Sequence, residues 1–177
     1  MIGIDIVDIN DVLLHPRTWK HMRFIKAKGD RYPEDINPIL LYWIVWSAKE
    51  AIFKSKRKLK PFDPKLITIT FSHDLNFSSK ELSGSVKITS NYVMAIAAQE
   101  SIKPLHKIWM NHQKVYSQKA VRERIIGYFK PLNVKFTVDK NLLPLLSVNE
   151  EKKIPISLTH HGNYMGFCIE NHKILKC

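Results

Sequence analysis

The sequence predicts an α+β protein made of two similar small lobes, each a helix packed on an antiparallel sheet. Three observations lead there. The chain opens on a β-branched run, "IGIDIV", followed by one long helical stretch and three strand-like runs. After a polar, irregular segment, a second helical stretch is again followed by strands. Strand, helix and strands thus recur in tandem, a weak repeat of architecture without a clear repeat of sequence. With 177 residues, 45% of them apolar, the chain can build one sizeable core or two small lobes that share one.

Residues 2–7 predict a strand that carries a single acid, Asp5, in an apolar run. Residues 11–34 are mixed, punctuated by Pro16, Gly29 and Pro33, and predict short helical turns. From Ile36, apolar or small residues recur at spacings of three and four, as in Leu40, Trp43, Ser47 and Ala51. Pro38 suits a first turn, and Pro61 ends the helix by about Lys58. Strands are expected at 66–71, 85–90 and 92–98, with "SSKELSG" as turn material between the first two. Residues 101–116 read as a linker. A helix at 117–129 follows, with Ala120, Arg124, Ile125 and Tyr128 at helical spacing and Ser117 as its N-cap. Strands at 133–138, 154–158 and 164–169 complete the chain, with turns at 139–141 and 149–153 and room for a fourth strand. The expected organisation is a lobe over 1–100, a linker over 101–116 and a lobe over 117–177.

The charge balance, 28 Lys and Arg against 16 acids for a net +12, implies an anionic partner: nucleic acid, a phosphorylated cofactor or an acidic protein. The run "KSKRKLK" at 54–60 has the look of a nucleic-acid patch, but basic helix ends also complement the helix dipole, and 56–60 read as a solvated helix end. No aromatic-glycine RNA signature or zinc-finger spacing accompanies it. No apolar run is long enough to span a membrane. Asp5 and Asp8 sit in the first stretch with no positive residue before them, the reverse of a signal peptide. Cys168 and Cys177 are too few for a disulfide framework, so a reducing cytoplasm is expected.

Three clusters carry candidate chemistry. Asp5 lies in an apolar strand, where an acid is costly unless it is paired or ligates a metal. In "WSAKEAIFK", Glu50 and Lys54 share a helix face at the i, i+4 step. Hard cations such as Mg2+ need only a few carboxylates and take other ligands from water and substrate phosphate. An ordinary Glu–Lys pair has the same spacing, and Asp5 could cap a turn, so spacing alone leaves both readings open. In "ISLTHHGNYMGF", a hydroxyl, an imidazole and backbone N–H groups at a strand end can grip a phosphate. A plain hairpin with one buried and one exposed histidine fits as well. His160 and His161 point to opposite faces of a strand, which disfavours a shared zinc ion. Ser157 lacks the glycine pattern of a nucleophile elbow.

Taken together, these clusters resemble the 4′-phosphopantetheinyl transferase superfamily. Its signature is G-x-D in a strand, W/F-x-x-K-E-A/S-x-x-K in a helix, and a separate S-L-S-H-like strand end. Here they read Gly3, Ile4 and Asp5; Trp46, Lys49, Glu50, Ala51 and Lys54; and Ser157, Leu158, Thr159 and His160. The helix motif matches at every specified position. The resemblance implies transfer of the phosphopantetheine arm of coenzyme A to a serine of an acidic apo carrier protein, acyl or peptidyl, with release of adenosine 3′,5′-bisphosphate. It implies that Asp5 and Glu50 bind Mg2+, that Lys54 neutralises the pyrophosphate, and that Glu50 or a metal-bound water takes the serine proton. Lys49 falls at the edge of the phosphate site, and His160 with Thr159 on the 3′-phosphate. Trp43 and Trp46 are expected to pack the helix. A nucleic-acid-binding protein and a degenerate transferase serving as a binding module are the competing readings, and the intact Asp5, Glu50 and Lys54 speak against the second.

The sequence also departs from the family pattern. Val7 stands where many two-lobed members carry a second acid, Thr159 replaces the usual serine, and a Gly-Lys-Pro turn is represented by Leu142, Leu143 and Pro144, with Lys140 as the nearest lysine. The motif order is that of the short, holo-acyl-carrier-protein synthase branch, which forms trimers. The lobes, however, resemble the two-lobed, surfactin-synthetase-activating type in swapped order. The expectation is therefore a pseudo-dimeric monomer whose Asp5 and Glu50 face His160 across one lobe interface, with a homotrimer as the alternative.

Overall fold

The structure, a computed structural model, describes residues 1–11, 17–57, 60–80, 82–111, 118–150 and 152–171. The α+β expectation holds. Among the described residues, ten strands form two antiparallel five-stranded sheets. The first contains β1 (Ile2–Asp8), β2 (Thr70–Phe71), β3 (Asn76–Ser79), β4 (Leu82–Ile88) and β5 (Tyr92–Ala98), in the order β1-β5-β4-β3-β2. The second contains β6 (Pro104–Met110), β7 (Val134–Val138), β8 (Pro144–Val148), β9 (Lys152–His161) and β10 (Tyr164–Glu170), in the order β6-β10-β9-β8-β7. The strand order is the same in both. In each unit the first strand leads into a helix, and the last strand returns to pair with the first. A short α1 (Trp19–Met22) precedes the long α2 (Pro38–Ser55) of the first unit; α3 (Gln118–Tyr128) serves the second.

Helix α2 begins at Pro38, with the Asn37 side chain accepting from the Ile39 N–H. It buries Ile44, Val45, Ala48 and Ile52 against the first sheet. Its end at Ser55 falls short of the expected Lys58; Arg57 turns left-handed, with φ +48°. Helix α3 buries Val121 and Ile125 on Leu146, Ile154 and Phe167. The proposed Ser117 N-cap lies outside the described residues.

Residues 104–110, expected to belong to an irregular linker, form the edge strand β6, paired along its length with β10. Its apolar residues are divided between two cores, Leu105 and Trp109 toward one and Ile108 toward the other, so no one-faced alternation is visible in "PLHKIWM". Pro104 is tolerated because it opens an edge strand. The "SSKELSG" stretch is more ordered than a turn: Ser79 pairs with Leu82, which closes a β3–β4 hairpin. The expected strand at 66–71 is mostly not in the sheet. A 3₁₀ turn covers Pro64–Leu66, the Ile69 N–H donates to Asp30, and only Thr70 and Phe71 pair with β3. The fourth strand of the second unit is β8.

Strand β1 is buried along its whole length because it serves two cores. Ile2, Ile4 and Ile6 meet Met94, Ile96, Tyr164 and Cys168 between the sheets. The alternate residues Gly3, Asp5 and Val7 face the other way. Gly3 lies under α2, where a Cβ would come within 2.0 Å of the Ala51 carbonyl oxygen; only glycine admits this approach. Among the described residues, no strand of the first sheet adjoins the outer edge of β1. Its N–H groups at Ile4, Ile6 and Asp8 donate instead to Ser157 Oγ (3.1 Å), Thr159 Oγ1 (3.0 Å) and His161 Nδ1 (3.2 Å), alternate side chains of β9. The hairpin after β9 is fixed at the same edge. Asn163 N–H donates to Asp8 Oδ2 at 2.8 Å, and Gly162, at φ +51°, lies too close to Asp8 for any Cβ.

Candidate active site

Residues from all three sequence motifs converge on one cleft of about 740 Å³ between the two units. Asp5 reaches it from the middle of β1, Glu50 and Lys54 from one face of α2, and Thr159, His160 and His161 from the end of β9. The Gly3 contact brings β1 and α2 close enough for Lys54 Nζ to lie 2.8 Å from Asp5 Oδ1 and 3.1 Å from Glu50 Oε1. Thr159 directs its hydroxyl at Asp5 Oδ1 (3.4 Å) while accepting from the Ile6 N–H. It is thus engaged on the Asp5 side of the cleft.

Burial raises the Asp5 pKa to about 6, and the neighbouring Glu50 carboxylate adds to the rise; Lys54 opposes both. Asp5 is therefore paired in the protein itself, not left as a lone buried acid. Burial works against the charge on Lys54, but Asp5 and Glu50 outweigh it and hold the amine above its ordinary value. Burial and the Lys54 charge lower the pKa of His160. Asp5 Oδ2 is buried and has no hydrogen-bond partner. An orphaned carboxylate oxygen beside a second carboxylate is a donor set suited to a hard divalent cation that keeps several waters. Among the described residues, no three His, Cys, Asp or Glu side chains come together as a metal site, in this cleft or elsewhere.

Lys49, expected at the edge of a phosphate site, does not line the cleft. Its side chain is completely buried on a different face of α2, where Nζ donates to Asp30 Oδ2 (2.6 Å), Ile25 O (2.7 Å) and Pro64 O (3.0 Å). One residue along a helix turns a side chain through roughly a quarter to a third of a circle, enough to separate Lys49 from Glu50. Trp43 is buried, as expected, but Trp43 and Trp46 also form part of the cleft wall. Val7 lines the cleft without charge. Leu142, Leu143 and Pro144 reach its rim, and Lys140 does not.

Three arginines escaped the sequence reading. Arg57, assigned to a solvated helix end, lines the cleft and bonds to the second unit. Arg17 and Arg122 line it from opposite units, Arg17 lying 5.6 Å from the Tyr42 ring centroid and Arg122 5.7 Å from that of Phe136. The Nε of each is buried without a hydrogen-bond partner. No local pattern marks them, since each gains its meaning from a distant element.

Fold and site together define a basic cleft with a carboxylate pair, a shape suited to a polyphosphate substrate. The pattern of the 4′-phosphopantetheinyl transferase superfamily matches residues 1–97, more than half of the chain, and the chain belongs to this superfamily. Its chemistry in general terms is phosphopantetheine transfer. No curated protein and no solved structure matches the chain.

Proposed function

We propose that this transferase moves the 4′-phosphopantetheine arm of coenzyme A onto a serine of an acidic apo carrier protein, in a Mg2+-dependent reaction of the holo-acyl-carrier-protein synthase type. The observation that carries the reading is the convergence of Asp5, Glu50, Lys54 and His160, from three distant segments, on one cleft.

Asp5 and Glu50 would hold the Mg2+, with Asp5 Oδ2 as the oxygen still lacking a partner. When bound, the ion supplies positive charge at the pyrophosphate. Lys54, already within reach of both acids, donates to the pyrophosphate oxygens. Glu50 accepts the proton of the carrier serine as its oxygen bonds to the phosphorus of the phosphopantetheine. The bond from that phosphorus to adenosine 3′,5′-bisphosphate breaks, and the bisphosphate leaves. His160 holds the 3′-phosphate, and Thr159 fixes Asp5. Phosphoryl transfer asks the protein chiefly for positioning and charge stabilisation, which is what these residues provide. The net charge of +12 suits both a polyanionic cofactor and an acidic carrier.

Among the described residues, no helix is long and apolar enough to cross a membrane; the proposed setting is the cytoplasm. Both units of the site come from one chain, so the proposed working form is a pseudo-dimeric monomer. Incubation with coenzyme A, Mg2+ and an apo carrier should add one phosphopantetheine to the carrier by mass spectrometry. A panel of acyl and peptidyl carriers left unmodified by a coenzyme A-binding protein would count against the reading.

A further inference from the structure

Arg57 sits two residues beyond the end of α2, with its backbone at φ +48°. Residues other than glycine seldom adopt that region, and a helix end there usually selects glycine. The turn sends the arginine toward the second unit. Its Nη2 donates to Asp139 Oδ2 at 3.0 Å and to the Pro144 carbonyl at 3.1 Å. Asp139 is itself fixed, because its Oδ1 accepts from the N–H groups of Asn141 (2.8 Å) and Leu143 (3.0 Å). Those backbone N–H groups and Arg57 hold its carboxyl below the usual carboxylate range, so the anchor stays ionised at neutral pH.

Only one corner of the guanidinium is used. Arg57 lines the cleft that also contains Lys54, and among the described residues its Nε and Nη1 have no hydrogen-bond partner. A guanidinium presents five donors in a rigid plane, so anchoring one nitrogen orients the others. Held in this way, it meets a phosphate with little further loss of side-chain freedom.

We propose that Arg57 is an anchored phosphate-binding residue of the cleft: Asp139 and the Pro144 carbonyl hold its guanidinium by the Nη2 corner, while an N–H of Nη1 or Nε donates to a phosphate oxygen of the cofactor. The inference rests on the transferase reading and deepens it. It also accounts for a turn at 139–144 without a lysine at the cleft, because the cation that meets this turn comes from the other unit. Cofactor binding is thereby tied to contact between the two units, since the binding group belongs to one and its anchor to the other.

The test is calorimetric titration of coenzyme A into the wild type, R57A, R57K and D139N, with melting curves for each. R57A should bind coenzyme A about tenfold more weakly or worse, the worth of a hydrogen bond to a charged group. R57K should also bind more weakly, since a lysine keeps the charge but not the fork. D139N, which leaves the guanidinium in place but weakens its anchor, should lose about threefold. Unchanged affinity in R57A, beside a wild type that binds, would overturn the assignment alone. Tighter binding by D139N would show that Asp139 competes for the guanidinium and would overturn the anchoring. Loss of binding matched by an equal loss for pantetheine, which has no phosphate, would make Arg57 a structural clasp. A wild type that binds no coenzyme A would overturn this inference and the transferase reading together.

Discussion

At the scale of single residues, Asp5 decides how the site responds to pH. Its pKa of about 6 in the folded protein lies above the ordinary aspartate value of 3.8, so the folded state holds this proton more tightly than the unfolded state. Stability from this group is complete below pH 4 and is lost as pH rises toward 6. Without divalent cation, D5N should therefore be more stable than the wild type at pH 7, with the gap closing on acidification to pH 4; melting curves across that range check it. D5N should also abolish transfer. E50Q should melt within a few degrees of the wild type yet lose about a hundredfold or more in turnover, since it removes the proposed proton acceptor and metal carboxylate while keeping the shape. H160A should weaken coenzyme A more than dephospho-coenzyme A, and equal losses in a binding titration would remove His160 from the 3′-phosphate. The sequence revealed Glu50 and Lys54 because a helix step of four puts both on one face, and Asp5 because an acid stands out in an apolar strand. It could not reveal Asp30 as the partner of Lys49, or Asp139 as the partner of Arg57, because those meetings depend on loops 19 and 82 residues away.

At the scale of elements, two contacts set the geometry of α2. On one face, Gly3 lets β1 approach. G3A would force a Cβ to within 2.0 Å of the Ala51 oxygen, and the helix must withdraw. The expected cost is about 1–3 kcal/mol of stability, together with a loss of transfer larger than that destabilisation explains, because Asp5 moves away from Glu50 and Lys54. Denaturant unfolding and turnover measured side by side test this. On the other face, Lys49 gathers Asp30, Ile25 and Pro64, and Asp30 in turn accepts from the N–H groups of Ala27 and Ile69. K49A leaves a buried carboxylate without its cation, a loss of about 3–5 kcal/mol, read as a melting temperature lower by roughly 10 °C. Helices α2 and α3 were legible from spacings of three and four, and strands β1, β5 and β10 because each is a short run of mostly apolar residues. Strands β3 and β6 were not, because the first carries a single buried apolar residue and the second divides its apolar side chains between two cores.

At the scale of the whole molecule, two units of the same strand order lie in one chain, and only one of their corresponding positions carries the acid. Asp5 is the fourth residue of β1, opposite Ala95, and the fourth residue of β6 is Lys107, opposite Phe167. On the proposed reading one cleft bears the chemistry, and light scattering should give a mass near one chain; a stable trimer would return the protein to a plan with sites between subunits. The tandem architecture was readable from the order of helical and strand-like stretches. The shared strand order was not, because it is set by which strands pair across the whole of each unit. The edge of β1 also makes the chain its own reporter. In an antiparallel pair, alternate amides point at the partner strand, and those of Ile4, Ile6 and Asp8 point the other way, to the side chains of Ser157, Thr159 and His161. Amide exchange with deuterated solvent should then run at two alternating rates along one strand. The amides of Gly3, Asp5 and Val7 would record the opening of the first sheet, and those of Ile4, Ile6 and Asp8 the parting of the two units, so six consecutive residues would time both events separately.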